Sequence, residues 1–218
     1  TSVASPDQNI DITTINAISS SAIDLNGNSI GTGAARLLSG VDDQRVYLMV
    51  IGDTKIENHS ADNNMPFHDI TFETTSLDGC DVIHAALVIY IPDDASFVIR
   101  INKTVFRMQG LVTMQTVNAN SLLVIVHSGE MEIVGREVVP SGQTISAITN
   151  AGEILTWSSP RTIRDTELQF GIVIASKLQQ LSGVALDIDS SVTTTSTATS
   201  PSQPVQVCEN SPVHTVLA

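Results

Sequence analysis

Glu130 and Glu132 stand two residues apart in the stretch Glu-Met-Glu-Ile, so on a strand their side chains leave the same face. Two carboxylates so placed could serve as the acid and base of a glycosidase or hold a cation; the ordinary role of such a pair is a solvated face. Five histidines, His59, His68, His84, His127 and His214, are scattered along the chain. His68 precedes Asp69, with Glu73 five residues on, and His127 precedes Glu130 by three. Odd separations put strand side chains on opposite faces, so neither group is aimed at one ligand unless a turn intervenes. His84 lies inside an apolar run and reads as a core histidine. The sequence contains no S-x-x-K, no P-loop and no dinucleotide-type glycine spacing. No catalytic residue is expected, and no cofactor.

Asp24, Asn26 and Asn28 in DLNGNSIG occupy positions 1, 3 and 5 of a calcium loop. An EF-hand loop also wants Gly at position 6 and a bidentate Glu at position 12, where this chain has Ser29 and Ala35. The alternative is an Asn-Gly turn between two strands. Cys80 and Cys208 are the only cysteines; two thiols permit one disulfide but do not imply it. Asn58-His59-Ser60 and Asn102-Lys103-Thr104 are glycosylation sequons, of use only in a chain secreted by a eukaryote.

The segment 113–157 resembles the cupin family of small jelly-roll barrels. Gly135 is followed by REVV, Pro140-Ser141-Gly142, Gln-Thr and Ile145. This is similar to the family's second motif with one spacer residue fewer, with Ile145 where the ligand histidine belongs and Asn150 one position late. The stretch VIVHSGEMEIVG is similar to the region after the first motif. The resemblance would place the Glu ligand at Leu122 and the paired His ligands near Thr116 and Asn118, or Gln115 and Val117. It therefore implies the barrel topology without the imidazoles and carboxylates that a divalent metal requires. Pro140 and Gly142 remain as a tight turn between strands.

The charge balance limits the partners. The chain of 218 residues has 23 acidic against 10 basic side chains, a net charge of −13. Nucleic-acid affinity comes mainly from Lys and Arg neutralising phosphates, and this field repels polyanions and anionic membranes over roughly 8–10 Å. The longest apolar run, VIHAALVIYI at 82–91, is about half the roughly 20 residues of a membrane span. Neither nucleic-acid binding nor membrane insertion is expected.

The elements that must position any site read as strands. RVYLMVIGD (45–53), HDITFETTS (68–76), DVIHAALVIYI (81–91), ASFVIRINKTVFRM (95–108), SLLVIVHSG (121–129), EMEIVGREV (130–138), QTISAITN (143–150) and EILTWSS (153–159) are rich in Val, Ile and Thr, residues that suit a pleated surface. ELQFGIVIAS (167–176) reads as a last central strand. GTGAARLLSG (31–40) and SKLQQLSG (176–183) read as short helices closed by Gly40 and Gly183. Helical crossovers for a doubly wound α/β fold are missing. The expected fold is all-β: a single jelly-roll-like sandwich or barrel at 23–189, an extended arm or edge strand at 1–22, and a Ser/Thr/Pro-rich tail at 190–218 that ends in a possible terminal strand.

This pattern predicts a non-enzymatic structural or assembly protein. The expectation is a viral capsid, outer-shell or surface (spike or decoration) subunit at a virion surface or outside the cell, joined to copies of itself or to other structural subunits. The alternatives are a metal-free cupin-like sugar or small-molecule binder or isomerase, and a secreted adhesin module.

Overall fold

A computed structural model describes residues 15–20, 32–38, 45–61, 65–74, 85–92, 95–118, 120–150 and 153–182. The described residues are all-β apart from one helix. The strands in chain order are β1 (Ala17–Ser20), β2 (Thr32–Leu38), β3 (Arg45–Ile51), β4 (Thr54–Asn58), β5 (Asp69–Thr74), β6 (Ala86–Ile91) and β7 (Phe97–Ile101). They continue with β8 (Thr104–Asn118), β9 (Ser121–Val126), β10 (Glu130–Ile133), β11 (Glu137–Pro140), β12 (Gln143–Asn150), β13 (Glu153–Trp157) and β14 (Arg161–Thr162). The helix α1 spans Asp165–Ser182.

The ladder is continuous but folded in two by β8. Its first half pairs with β7 and β10 in one sheet, ordered β1-β4-β5-β7-β8-β10-β11. Its second half pairs with β6 and β9 in the other, ordered β2-β3-β6-β8-β9-β12, with β13 and β14 both on the far side of β12. The only parallel pair in this ladder is β5 with β7. The sheets face each other across one core, in which Ile56, Phe72, Ile99 and Phe106 of the first meet Leu48, Leu87, Val124 and Ile145 of the second. The product is a sandwich that does not close into a barrel.

β6 explains the longest apolar run. Leu87, Ile89 and Ile91 enter the core between the sheets, while Val88 and Tyr90 enter a second cluster on the outer face of the second sheet. A strand covered on both faces has no polar alternation. The cover is α1: Ile174, Ala175 and Leu178 pack with Tyr47, Met49, Val88, Tyr90 and Leu111. Full burial of each large aliphatic there contributes about 1.5–3 kcal/mol.

Four expectations from sequence are corrected, the first being that 130–138 is a single strand: it divides into the antiparallel pair β10 and β11, turned back around Gly135. Residues 167–176 are helix, not a central strand. The buried residues Glu167, Gly171, Ile174, Ala175 and Leu178 fall on a helical stripe, while Ile172 and Val173 face solvent. Residues 32–38 are an edge strand, not a helix: each of them pairs with β3, from Thr32 opposite Ile51 to Leu38 opposite Arg45, so pairing overrides the helical propensity of Ala and Leu. The stretch 95–108 is two strands, turned back at Asn102-Lys103, both of which have positive φ (48° and 68°), the signature of a two-residue type I′ hairpin. The glycine punctuation of 129–142 stands. Gly129, Gly135 and Gly142 all have positive φ at the turns between β9, β10, β11 and β12, and Pro140 closes β11.

Candidate functional site

An open groove of about 420 Å³ lies where the sandwich fails to close, between the β7–β8 turn, the β10–β11 turn and β13. Val134, Leu155 and Trp157 supply apolar surface, and Lys103 and Arg136 supply cations. Trp157 sits edge-on to Phe106 with ring centroids 5.9 Å apart, so the indole is anchored in the core while bordering the groove. Leu155 is the extra residue of a bulge in β13, between Ile154 opposite Thr149 and Thr156 opposite Ile148, and it is 63% exposed. Bulges re-aim side chains at sheet edges.

The two cations are held differently. Lys103 stands at the tip of the β7–β8 turn in a left-handed conformation that disfavours side chains, and forms an ion pair with Glu153. That pair holds the Glu153 carboxyl below its ordinary value, through the hydrogen bond first and the charge of Lys103 second. Arg136 has no carboxylate partner among the described residues. The groove is thus lined by two cations and no carboxylate, one of the cations paired with Glu153, in a strongly acidic chain.

A second polar group lies beneath α1. His127 is buried, with Nε2 3.1 Å from Thr113 Oγ1. Nδ1 has no hydrogen-bond partner among the described residues. Burial depresses its pKa to about 4, against an upward pull from the charge of Glu167, so the ring is neutral at pH 7. Gly171 of α1 leaves the room the imidazole occupies: a Cβ there would overlap Nδ1. Glu167 is buried beside the start of the helix. Arg161 donates to both of its carboxylate oxygens, at 2.6 and 3.1 Å, and the Arg164 amide donates at 2.8 Å. Burial would raise its pKa, but the hydrogen bonds and charges of Arg161 and Arg164 prevail and hold it below the ordinary value.

Among the described residues, those singled out from sequence are not gathered into a site. Glu132 pairs with Arg107 across β10 and β8, while Glu130 is exposed. Asp69 pairs with Arg100 at 3.0 Å, and His68 bonds Val98 O at 3.0 Å beside the Phe97 ring. His59 meets Thr71 Oγ1 at 2.8 Å. Leu122 and Ile145 are core residues, and Gln115 is buried while Val117 is exposed. The two sequon asparagines hold the backbone. Asn58 Oδ1 accepts from the Ser60 and Phe67 amides, both at 3.0 Å. Asn102 accepts from Phe72 N at 2.9 Å and donates to Phe72 O at 3.1 Å. Asp24, Asn26, Asn28, Cys80, Cys208, His84, His214, most of the N-terminal arm and the Ser/Thr/Pro tail lie outside the described residues; Ala35, at loop position 12, belongs to β2.

Among the described residues no three of His, Cys, Asp and Glu are grouped so as to hold a metal ion, and no helix is long and apolar enough to cross a membrane. Sequence reasoning passed over Lys103, Arg136 and Trp157. The signal available was Asn-Lys between two apolar runs, which marks a hairpin tip; the convergence with 134–136 and 154–157 is a property of the fold. The chain is an open, acidic β-sandwich with a cationic, apolar groove at one edge. Compared with protein-family models, curated proteins and solved structures, it matches none.

Proposed function

We propose that the protein is a non-enzymatic structural subunit that associates with copies of itself. The observation that carries this reading is the apolar surface of the β11–β13 edge. Val138 of β11 and Leu155 of β13 are 51% and 63% exposed there, and among the described residues β11 pairs only with β10, and β13 only with β12. An unpaired edge with exposed apolar side chains is a template for another chain. The space between the sheets, which a ligand-binding barrel would keep as a pocket, is filled by apolar side chains. The net charge of −13 suits an outer or decorating layer of a shell, such as a virion surface, better than one that touches a genome. Light scattering after size exclusion over a hundredfold range of concentration tests the reading. A mass that rises with concentration is expected; a monomer throughout overturns it.

A further inference from the structure

The groove and the ends of the described body lie on opposite edges of the sandwich. β1, the first described strand, is the outermost strand of the first sheet, five ladder steps from β10. α1 starts over the β9 side, where Leu168 packs against Leu123 and Ile125 and Gly171 meets His127. It continues toward β6 and β3, where Ile174, Ala175 and Leu178 lie with Tyr47, Met49 and Val88. Its last residue, Ser182, is thus on the β3 side, five steps from β13. At roughly 4.8 Å per step, about 24 Å separates each of these points from the groove.

The sequence that follows α1 complements the groove. Residues 184–189 read Val-Ala-Leu-Asp-Ile-Asp, with Val, Leu and Ile on one face of an extended chain and two carboxylates on the other. The groove offers apolar Val134, Leu155 and Trp157, and its rim offers Lys103 and Arg136, which has no ion-pair partner among the described residues. Resting on the self-association proposed above, we infer that residues 184–189 of one copy add as an edge strand to β13 of a second copy, with their apolar face in the groove and Asp187 and Asp189 against Lys103 and Arg136. The segment begins two residues after Ser182, and two residues reach at most about 7 Å. Residue 184 therefore cannot reach its own groove, so the whole segment can lie along β13 only in a second copy. A contact between two different surface patches runs head to tail and makes rings or open chains.

Charge exchange in the full-length protein tests this. Arg136→Glu alone, and Asp187→Arg with Asp189→Arg, should each weaken self-association at least tenfold by light scattering, with the thermal unfolding midpoint unchanged at a concentration where the wild type is monomeric. All three substitutions in one chain should restore it, because each copy supplies both partners. Added NaCl should weaken the wild-type contact. Self-association of the wild type that neither charge variant weakens overturns this contact and leaves the structural reading standing; a monomeric wild type overturns both. A peptide of residues 182–190 should disperse the wild-type assembly. Dispersal by a peptide of residues 8–14, which carries the similar Ile-Asp-Ile, and not by 182–190 overturns the assignment.

Discussion

Gly110 and Gly129 lie backbone against backbone at the corner where β8 crosses from one sheet to the other. A Cβ on Gly110 would overlap the carbonyl of Ser128, and one on Gly129 would overlap the carbonyl of Gln109. Both have positive φ, and the Leu111 amide donates to Ser128 O at 3.2 Å beside them. On either side of this corner β8 pairs with β10 and with β9, so a single two-strand ribbon bends through both sheets. The whole sandwich hangs on a crossing that only two glycines allow.

The comparison with Gly135 makes this measurable. Gly135 also has positive φ, but nothing lies within 4 Å of a Cβ built there. Gly135→Ala should cost only the conformational penalty, about 1 kcal/mol. Gly110→Ala and Gly129→Ala add a backbone clash that no rotamer relieves, and should cost on the order of 3 kcal/mol or more. Urea unfolding of the three variants checks the order; a Gly135 variant as damaged as the other two would deny the corner its special role.

Gly171 inverts the usual rule for helices. Replacing an interior glycine by alanine normally stabilises a helix by about 1 kcal/mol. Here the new methyl would overlap the ring of His127, and Gly171→Ala should destabilise the protein. In a His127→Ser background the obstruction is gone, and the same substitution should become neutral or stabilising. Thermal unfolding of the double-mutant cycle measures the change of sign.

How far the sequence carries is clear from these elements. The strands were legible because β-branched runs alternate with Gly, Pro and Asn turns, as in β9 and β12, which fall within 121–129 and at 143–150, whereas 130–138, read as one strand, is the hairpin of β10 and β11. The helix α1 was not. Its start has Arg164 at the cap position, where Ser, Thr, Asp or Asn is usual, and Ile172-Val173-Ile174 looks like strand. Burial of one stripe against Tyr47, Val88 and Leu111 decides the matter, and that is a long-range fact. β2 was hidden for the converse reason: Ala-Ala-Arg-Leu-Leu favours helix until β3 offers it a ladder. The groove could not be read at all, because Lys103, Arg136 and Trp157 come from three separate turns and edges.

Lys103 bears a conformation better suited to glycine. Its φ of 68° costs a residue with a Cβ about 1 kcal/mol. Lys103→Gly should therefore raise the stability of the monomer by about that amount, read as a shift of the urea midpoint at unchanged slope. A loss of stability would show that the ion pair with Glu153 outweighs the strain. Retention of a side chain at a strained turn is understandable where that side chain serves a surface function.

The pH dependence of stability should reveal His127. Its folded pKa, about 4, lies below the ordinary value of 6.5, so between these values the unfolded chain binds a proton that the folded chain refuses. Stability from this group is complete above pH 6.5 and falls as pH drops from 6.5 toward 4. The loss is about 3 kcal/mol at roughly 1.4 kcal/mol per unit. Glu167 acts in the same sense but lower. Its folded pKa is held below 4.5, so its contribution is present above 4.5 and is lost as pH falls through the folded value. The two are separable by variant. His127→Gln should flatten the slope between pH 6.5 and 4.5 and leave the acid limb below it, and denaturant unfolding at half-unit pH intervals would show both. An unchanged slope in His127→Gln would mean that the imidazole is protonated as readily in the fold as in the open chain.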